Sequence, residues 1–177
     1  MAVITDMGVT GNGILQPKLK HKFELSFIGL AGDGEGLKVQ AVTCELPKLE
    51  FEEVTLDRYN SRAYVAGKHS FQPISATFED DVGGEVVTAI RAQQEMTQHI
   101  IMPSGFPRLA SAAAGELYKF RLRIDELDGN TTKFASWALD GCWFQNVDYG
   151  ELVYTVSEAL RITTTIRFDH AQNLITG

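Results

Sequence analysis

The stretch YKFRLRIDE, from Tyr118 to Glu126, alternates apolar and charged side chains with a period of two. Successive side chains of a β-strand point to opposite faces of a sheet, so this pattern predicts a strand with one buried and one exposed face. The same alternation recurs in LKHKFELSF, residues 19–27, and in LRITTTIRF, residues 160–168. These three stretches predict a protein built mainly of β-sheet.

Weaker signals complete the pattern, and we expect about seven strands in all. The weaker strand signals cover residues 37–46, 49–57, 70–79 and 133–144. Turns are predicted at Ala31–Gly36 and at Asp128-Gly129-Asn130, because Asp-Gly is a strong hairpin signal. One helix is predicted from the acidic run Glu79–Asp81 to about Ile100, with Asp80 or Asp81 capping its first turn.

Length and charge exclude several classes of protein. The 177 residues fit one domain, and a chain of this size buries about 70% of its surface on folding. The net charge of −7 is opposite to the basic excess of dedicated nucleic-acid binders. No apolar stretch approaches the roughly 18 residues of a membrane-spanning helix, and residues 1–13 do not resemble a secretory signal.

The sequence predicts no catalytic residue, no metal site, no cofactor and no enzyme activity. The four histidines show no metal-ligand spacing, and no G-x-S-x-G elbow is present. The glycine-rich stretch 32–36 lacks the Lys-Ser/Thr pair of a phosphate loop. Cys44 and Cys142 are interpreted as free thiols, although an intramolecular bridge stays open at this point.

Two segments carry no strand pattern and predict contacts with other copies of the chain. Residues 1–17 are interpreted as an N-terminal arm, and residues 18–177 as a single domain with a long loop at 57–69. Long segments of this kind are usually functional or disordered.

The second of these segments carries a resemblance to a known family. The sequence LDRYNSRAYVAGKHSF, residues 56–71, resembles the signature region of tail tube proteins from contractile-tailed bacteriophages. The matching positions are Asn60, Arg62, Ala66 and Gly67. The stretches 17–27, CELP at 44–47 and FEDD at 78–81 resemble the family as well, whereas 31–36 and 103–115 do not match it.

The resemblance implies a fold and an assembly. The expected fold is a two-sheet β-sandwich flanked by one α-helix, and six copies close into a ring with an inner β-barrel. With four strands from each copy, a strand spacing of about 4.8 Å and a tilt of about 40° give a barrel about 48 Å across. Such a channel admits duplex DNA.

The resemblance also implies which residues act in assembly. The predicted contacts between rings or subunits are Tyr59, Asn60, Arg62, Tyr64, Ala66 and Gly67. The predicted acidic lining of the channel is Glu45, Glu50, Glu52, Glu53 and Asp57. Acidic walls repel phosphates, so DNA passes as cargo without being held.

The implied function is that of a structural virion protein, the inner tail tube subunit through which the genome is ejected. The implied partners are further copies of the chain, the tail sheath protein, the tape measure protein, and the baseplate hub and tail terminator proteins. The implied location is the virion tail, after assembly in the host cytoplasm. The alternatives are a tube protein of a type VI secretion system or bacteriocin particle, and a monomeric ligand-binding or hydrolytic β-sandwich.

Overall fold

A computed structural model describes residues 20–31, 34–97, 118–127, 133–155 and 157–174. These residues form nine β-strands and two α-helices, so the predicted mainly β fold class is confirmed. In chain order the elements are β1 (Phe23–Ile28), α1 (Gly34–Val39), β2 (Ala41–Cys44), β3 (Lys48–Arg58), β4 (Ser61–Gln72), β5 (Ile74–Glu79), α2 (Glu85–Thr97), β6 (Phe120–Leu127), β7 (Lys133–Asp148), β8 (Arg161–Arg167) and β9 (His170–Leu174).

Seven strands form the body of the molecule, and all of their pairings are antiparallel. The order is β1-β6-β7-β8-β5-β2, with β9 also paired to β7. The first part of β7 pairs with β6 and β9, and its last part pairs with β8. Gly141 lies close to this change of partner with a φ of +70°, a conformation that favours glycine. The two parts of the sheet therefore share one long strand.

One hydrophobic core joins the two parts of the sheet to the helices. Leu25 and Leu122 come from the β1–β6 part, while Phe78 and Ile166 come from the β5–β8 part, and all four are fully buried. Helix α2 adds its apolar stripe, in which Val86, Ala89 and Ile90 are buried. The alternation predicted from the sequence thus identifies the side chains of this core correctly in β6 and β8.

A buried carboxylate lies inside the β6–β7 ladder. Asp125 is fully buried, and Lys133 Nζ lies 2.6 Å from its Oδ2 while Arg123 Nε lies 2.8 Å from its Oδ1. The Ser136 hydroxyl also donates to this carboxylate. Burial alone raises the pKa of Asp125, but the hydrogen bonds from Lys133, Ser136 and Arg123 outweigh it and hold the pKa below its ordinary value.

The structure corrects two elements of the sequence prediction. Residues 34–39 form α1, where the sequence predicted a turn followed by a strand. The fully buried Leu37 and an ion pair of 2.8 Å between Lys38 and Glu24 hold this short helix against the body. Tertiary packing therefore overrides the poor helix propensity of glycine. Strand β9 was not predicted, because its exposed residues show no alternation.

The predicted helix corresponds to α2, which begins at Glu85. The residue directly before the helix is Gly84, and the carboxylate of Asp81 accepts a hydrogen bond of 3.1 Å from the Glu85 amide, one of the amides that the first turn leaves without a helical partner. The predicted end of this helix near Ile100, the turn at 128–130 and the N-terminal arm at 1–17 lie outside the described residues.

Candidate assembly surface

Strands β3 and β4 form a separate antiparallel hairpin. Within the described residues they pair with each other and with no other strand. All eleven residues of β3 are exposed, and β4 exposes all but two of its twelve. A two-stranded hairpin is marginally stable in water by itself, and free strand edges are templates for pairing. The hairpin is therefore the strongest candidate for a surface that other molecules cover.

The hairpin corrects the long loop predicted at 57–69. Strand β4 begins at Ser61, so the connection between the strands is the turn at Tyr59 and Asn60. The loop was predicted because residues 61–69 lack an alternating apolar face. That pattern arises only where one face of a strand packs on a core, and neither face of β4 is buried in this chain.

The hairpin continues the β2–β5 ladder beyond two prolines. The β2–β5 ladder ends where Cys44 pairs with Ala76, and the hairpin ladder begins where Lys48 pairs with Gln72. Pro47 lies between the two ladders in one strand and Pro73 in the other, and a proline donates no ladder hydrogen bond. The strand predicted at 70–79 is accordingly divided into two at Pro73.

Glu45 holds the two ladders together at this junction. Its amide donates to the Ser75 carbonyl at 2.9 Å, and its Oε2 accepts the Ser75 amide at 3.2 Å. Its Oε1 lies 3.4 Å from Lys48 Nζ. The carboxylate of Glu45 is thus bonded at the junction, and its predicted place in the lining of a channel stays a prediction.

The two faces of the hairpin differ in chemistry, and we name each after one of its residues. The Phe51 face comprises Leu49, Phe51, Glu53, Thr55, Asp57, Arg62, Tyr64, Ala66, His69 and Phe71. The Val54 face comprises Lys48, Glu50, Glu52, Val54, Leu56, Arg58, Ser61, Ala63, Val65, Ser70 and Gln72. Toward the turn the Val54 face is largely apolar, whereas the Phe51 face carries charges there.

The acidic candidates are therefore distributed over both faces. Glu50 and Glu52 lie on the Val54 face, while Glu53 and Asp57 lie on the Phe51 face. Asp57 is bonded across the hairpin, with its Oδ1 at 2.7 Å from Arg62 Nε. At most two of these four acids face the same side of the hairpin, and which pair lines a channel stays a prediction.

Gly67 has a role within the hairpin that the sequence did not indicate. The pairing shifts between Phe51 and Glu53, and β4 accommodates one extra residue there. A Cβ atom at Gly67 would lie 3.0 Å from the Glu52 carbonyl oxygen and 3.1 Å from Val54 Cγ2. Glycine is thus favoured by close approach inside one chain, because a larger residue would make Glu52 and Val54 shift by a few tenths of an ångström.

The turn of the hairpin presents an aromatic side chain to solvent. Tyr59 is fully exposed, and Tyr64 is 62% exposed on the Phe51 face. At the opposite end of the hairpin, the Phe71 ring packs on Phe168 of the body with centroids 5.4 Å apart. The base of the hairpin is therefore anchored, and its turn extends away from that anchor.

The described residues contain no group of three or more His, Cys, Asp and Glu side chains arranged to hold a metal ion. His69 and His170 both pack edge-to-face against Phe71, at centroid distances of 5.8 Å. No helix among the described residues is long and apolar enough to cross a membrane.

Several solved structures share this arrangement of strands. A chain of the anti-feeding prophage cap, described as the AFP tube terminating cap, matches with a TM-score of 0.67 at 13% identity, over 99% of this chain and 100% of that one. This chain has the fold of tube and tube-terminator proteins of contractile injection systems. The resemblance inferred from the sequence is confirmed as a likeness of fold.

Two further matches come from an extracellular contractile injection system named PVC. A chain of its sheath–tube complex in the extended state matches with a TM-score of 0.66 at 12% identity, over 92% of this chain and 95% of that chain. A chain of its sheath/tube terminator structure in the extended state matches with a TM-score of 0.64 at 12% identity, over 90% of this chain and 97% of that chain. No family model matches the sequence, and a search of curated proteins finds no match.

Proposed function

We propose that this chain is a non-enzymatic structural subunit of the inner tube of a contractile tail. Six copies close into a ring, and rings stack to form the channel. The observation that carries this proposal is the exposed β3–β4 hairpin on a fold shared with tube proteins. Neighbouring copies supply the strand partners and the apolar cover that the hairpin does not find among the described residues.

The two faces of the hairpin take different roles in this proposal. The apolar half of the Val54 face, with Val54, Leu56 and Val65 all exposed, packs on a neighbouring copy. Glu53 and Asp57 then face the channel from the other side. Contacts between copies are assigned to Tyr59, Asn60, Arg62, Tyr64, Ala66 and Gly67.

The finer assignment is a bacteriophage tail tube that conducts the genome during ejection. The formal charge of −7 supports DNA as passing cargo, because an acidic wall repels phosphates. The proposed partners are the sheath, tape measure, baseplate hub and tail terminator proteins, with assembly in the host cytoplasm. Residues 1–17 are proposed as an arm that lies on a neighbour, and residues 18–177 as one domain.

The second candidate is a tube that delivers protein, as in an injection, bacteriocin or type VI secretion particle. The observation in its favour is that the matching structures belong to the anti-feeding prophage and to an extracellular contractile injection system. Particles purified from the producing cell separate the two candidates. A phage tail accompanies heads with nuclease-protected DNA, whereas an injection particle contains none.

Negative-stain microscopy of the purified protein tests the shared part of the proposal. We expect rings with six-fold symmetry, or tubes, at high protein concentration. A monodisperse monomer in light scattering at every concentration, with no rings on grids, contradicts the proposal and favours the monomeric β-sandwich.

A further inference from the structure

A second exposed surface lies at the end of the body farthest from the hairpin. The hairpin joins β5 at Ile74, which pairs with Ile166, while the other end of β5 pairs Glu79 with Arg161. The connection from β7 to β8 returns at this second end, and its Leu160 carbonyl accepts the Asp80 amide at 2.9 Å. We call this surface, formed by residues 79–85, 148–155 and 157–161, the acidic end.

The acidic end carries strong negative charge and exposed apolar groups together. It contains seven acidic side chains and one basic side chain, a formal charge of −6: Glu79, Asp80, Asp81, Glu85, Asp148, Glu151 and Glu158 against Arg161. Val82 and Tyr154 are fully exposed there, and Leu152 is 88% exposed. Large apolar side chains left this exposed at one end of a molecule favour an interaction site there.

The same surface contains a cleft. Its volume is about 360 Å³, and its walls are formed by residues 150–153 and 158–161. Leu152, Val153 and Leu160 supply apolar surface, and Glu151 and Glu158 supply negative charge. The one basic lining residue, Arg161, lies 3.7 Å from the Glu79 carboxylate, which offsets its charge. A tyrosine with a neighbouring cation fits such a lining, because the ring buries apolar area and the cation meets a carboxylate.

The turn of the hairpin presents that combination of groups. Tyr59 is fully exposed, and the adjacent Arg58 is exposed and makes no ion pair with any described residue. Residues 57–62 carry a formal charge of +1, opposite in sign to that of the acidic end. The turn and the cleft therefore complement each other, and they lie at opposite ends of the molecule.

From this complementarity we infer that the hairpin turn of one copy docks in the acidic-end cleft of a second copy, with Tyr59 between Leu152 and Leu160 and Arg58 against Glu151 or Glu158. The contact is heterologous, so repeating it along one direction generates a filament rather than a closed dimer. The inference rests on the proposed tube and names the surface that receives each ring.

Two variants that block opposite ends test the inference. The turn variant carries Arg58→Gln and Tyr59→Ser, the end variant carries Glu151→Lys and Glu158→Lys, and Lys20→Glu is a control assigned to neither end. We expect the control to form tubes like the parent, and each variant to need at least about tenfold more protein to stack. An equal mixture of turn-variant and end-variant rings forms stacks of two rings, because only one pair of ends still matches. If either variant forms tubes at the same protein concentration as the parent, the inference is wrong.

A crosslink tests the same contact independently of ring formation. Tyr59→Cys and Leu152→Cys are placed in two differently tagged copies, which are mixed and treated with a short bismaleimide. We expect a covalent product that contains both tags, well above the yield from pairing Lys20→Cys with Leu152→Cys. A yield no higher than this control overturns the contact. A high yield from protein that forms no rings instead keeps the contact and contradicts the proposed tube.

Discussion

Strands β4 and β5 are separated by a single proline, yet they are stabilised in different ways. β5 alternates buried and half-buried residues, and its Phe78 is completely buried. β4 follows the same chain direction but exposes nearly every residue. A strand shows alternation when its core lies in its own chain. The hairpin, unlike β5, therefore packs on no core among the described residues, which is why we propose that other copies cover it.

The largest expected difference in stability is between a phenylalanine removed from the body and one removed from the hairpin. We expect Phe78→Ala to lower the free energy of unfolding by about 3–5 kcal/mol, because it leaves a cavity in the core. Phe51→Ala, at a residue 55% exposed, should lower it by less than about 1 kcal/mol. Urea unfolding followed by circular dichroism measures both, and equal losses would mean that the hairpin belongs to the core.

Replacing the buried carboxylate should have the next largest effect on stability. It distinguishes a buried ion pair of the body from an exposed one. Asp125→Asn removes a charge that Lys133 and Arg123 bind, so we expect a loss of about 2 kcal/mol at pH 7. Asp140→Asn, at an exposed pair with Arg121, is the matched control and should cost less than about 1 kcal/mol.

The pH dependence of this difference follows from the lowered pKa of Asp125. A carboxyl whose folded pKa lies below its unfolded value stabilises the protein above the unfolded value and loses that effect as the pH falls through the folded one. The gap between parent and Asp125→Asn should therefore narrow below about pH 4, the ordinary value for aspartate. A gap that stays constant down to pH 2 would contradict the charged network.

The body could be predicted from the sequence because its strands pack on a core in the same chain. In β8 the predicted alternation matches the buried Ile162, Thr164 and Ile166. Helix α2 was predicted although Gln93 interrupts its apolar stripe. The structure explains the glutamine, since it is buried and accepts a hydrogen bond of 2.8 Å from the Ala31 amide.

The hairpin could not be predicted because period-two burial is absent from a strand with two exposed faces. Tyr59 and Arg62 were selected through the family resemblance, whereas Arg58 was not selected by either route. The acidic end was interpreted only as a helix cap at Asp80 or Asp81. These acidic residues form one surface only when β5 and β8 pair and bring residues 79–85 close to residues 148–155 and 157–161.

A third prediction concerns the pairing shift inside the hairpin. Gly67→Ala forces a Cβ against the Glu52 carbonyl, so we expect the β3–β4 ladder to lose about 1 kcal/mol. Amide hydrogen exchange in β3 and β4 should then be about fivefold faster, with β5 and β8 unchanged. Ala66→Ser, at an exposed neighbouring residue, is the control. Faster exchange throughout the body would show that the hairpin and the body unfold as one unit.

The smallest effect is expected at the two thiols, which both lie in the body. No disulfide joins Cys44 and Cys142 within the chain, and the free thiols predicted from the sequence stay a prediction for the assembled particle. Burial raises the pKa of each thiol to about 12, and the charge of Glu45 adds to the effect at Cys44. In the strand order, β8 and β5 lie between the two cysteines, a separation of about 14 Å where a disulfide needs about 7 Å.

Thiol labelling and electrophoresis test this expectation. The folded protein should react slowly with a maleimide at pH 7, and its rate should keep rising beyond about pH 9, where unfolded thiols are already largely ionised. Assembled particles denatured with a thiol-blocking reagent should run as single chains without reductant. A ladder of covalent oligomers that reductant removes would place Cys44 or Cys142 at a contact between copies. Because both thiols lie in the body and not in the hairpin, that ladder would also show that contacts between copies extend beyond the hairpin into the body.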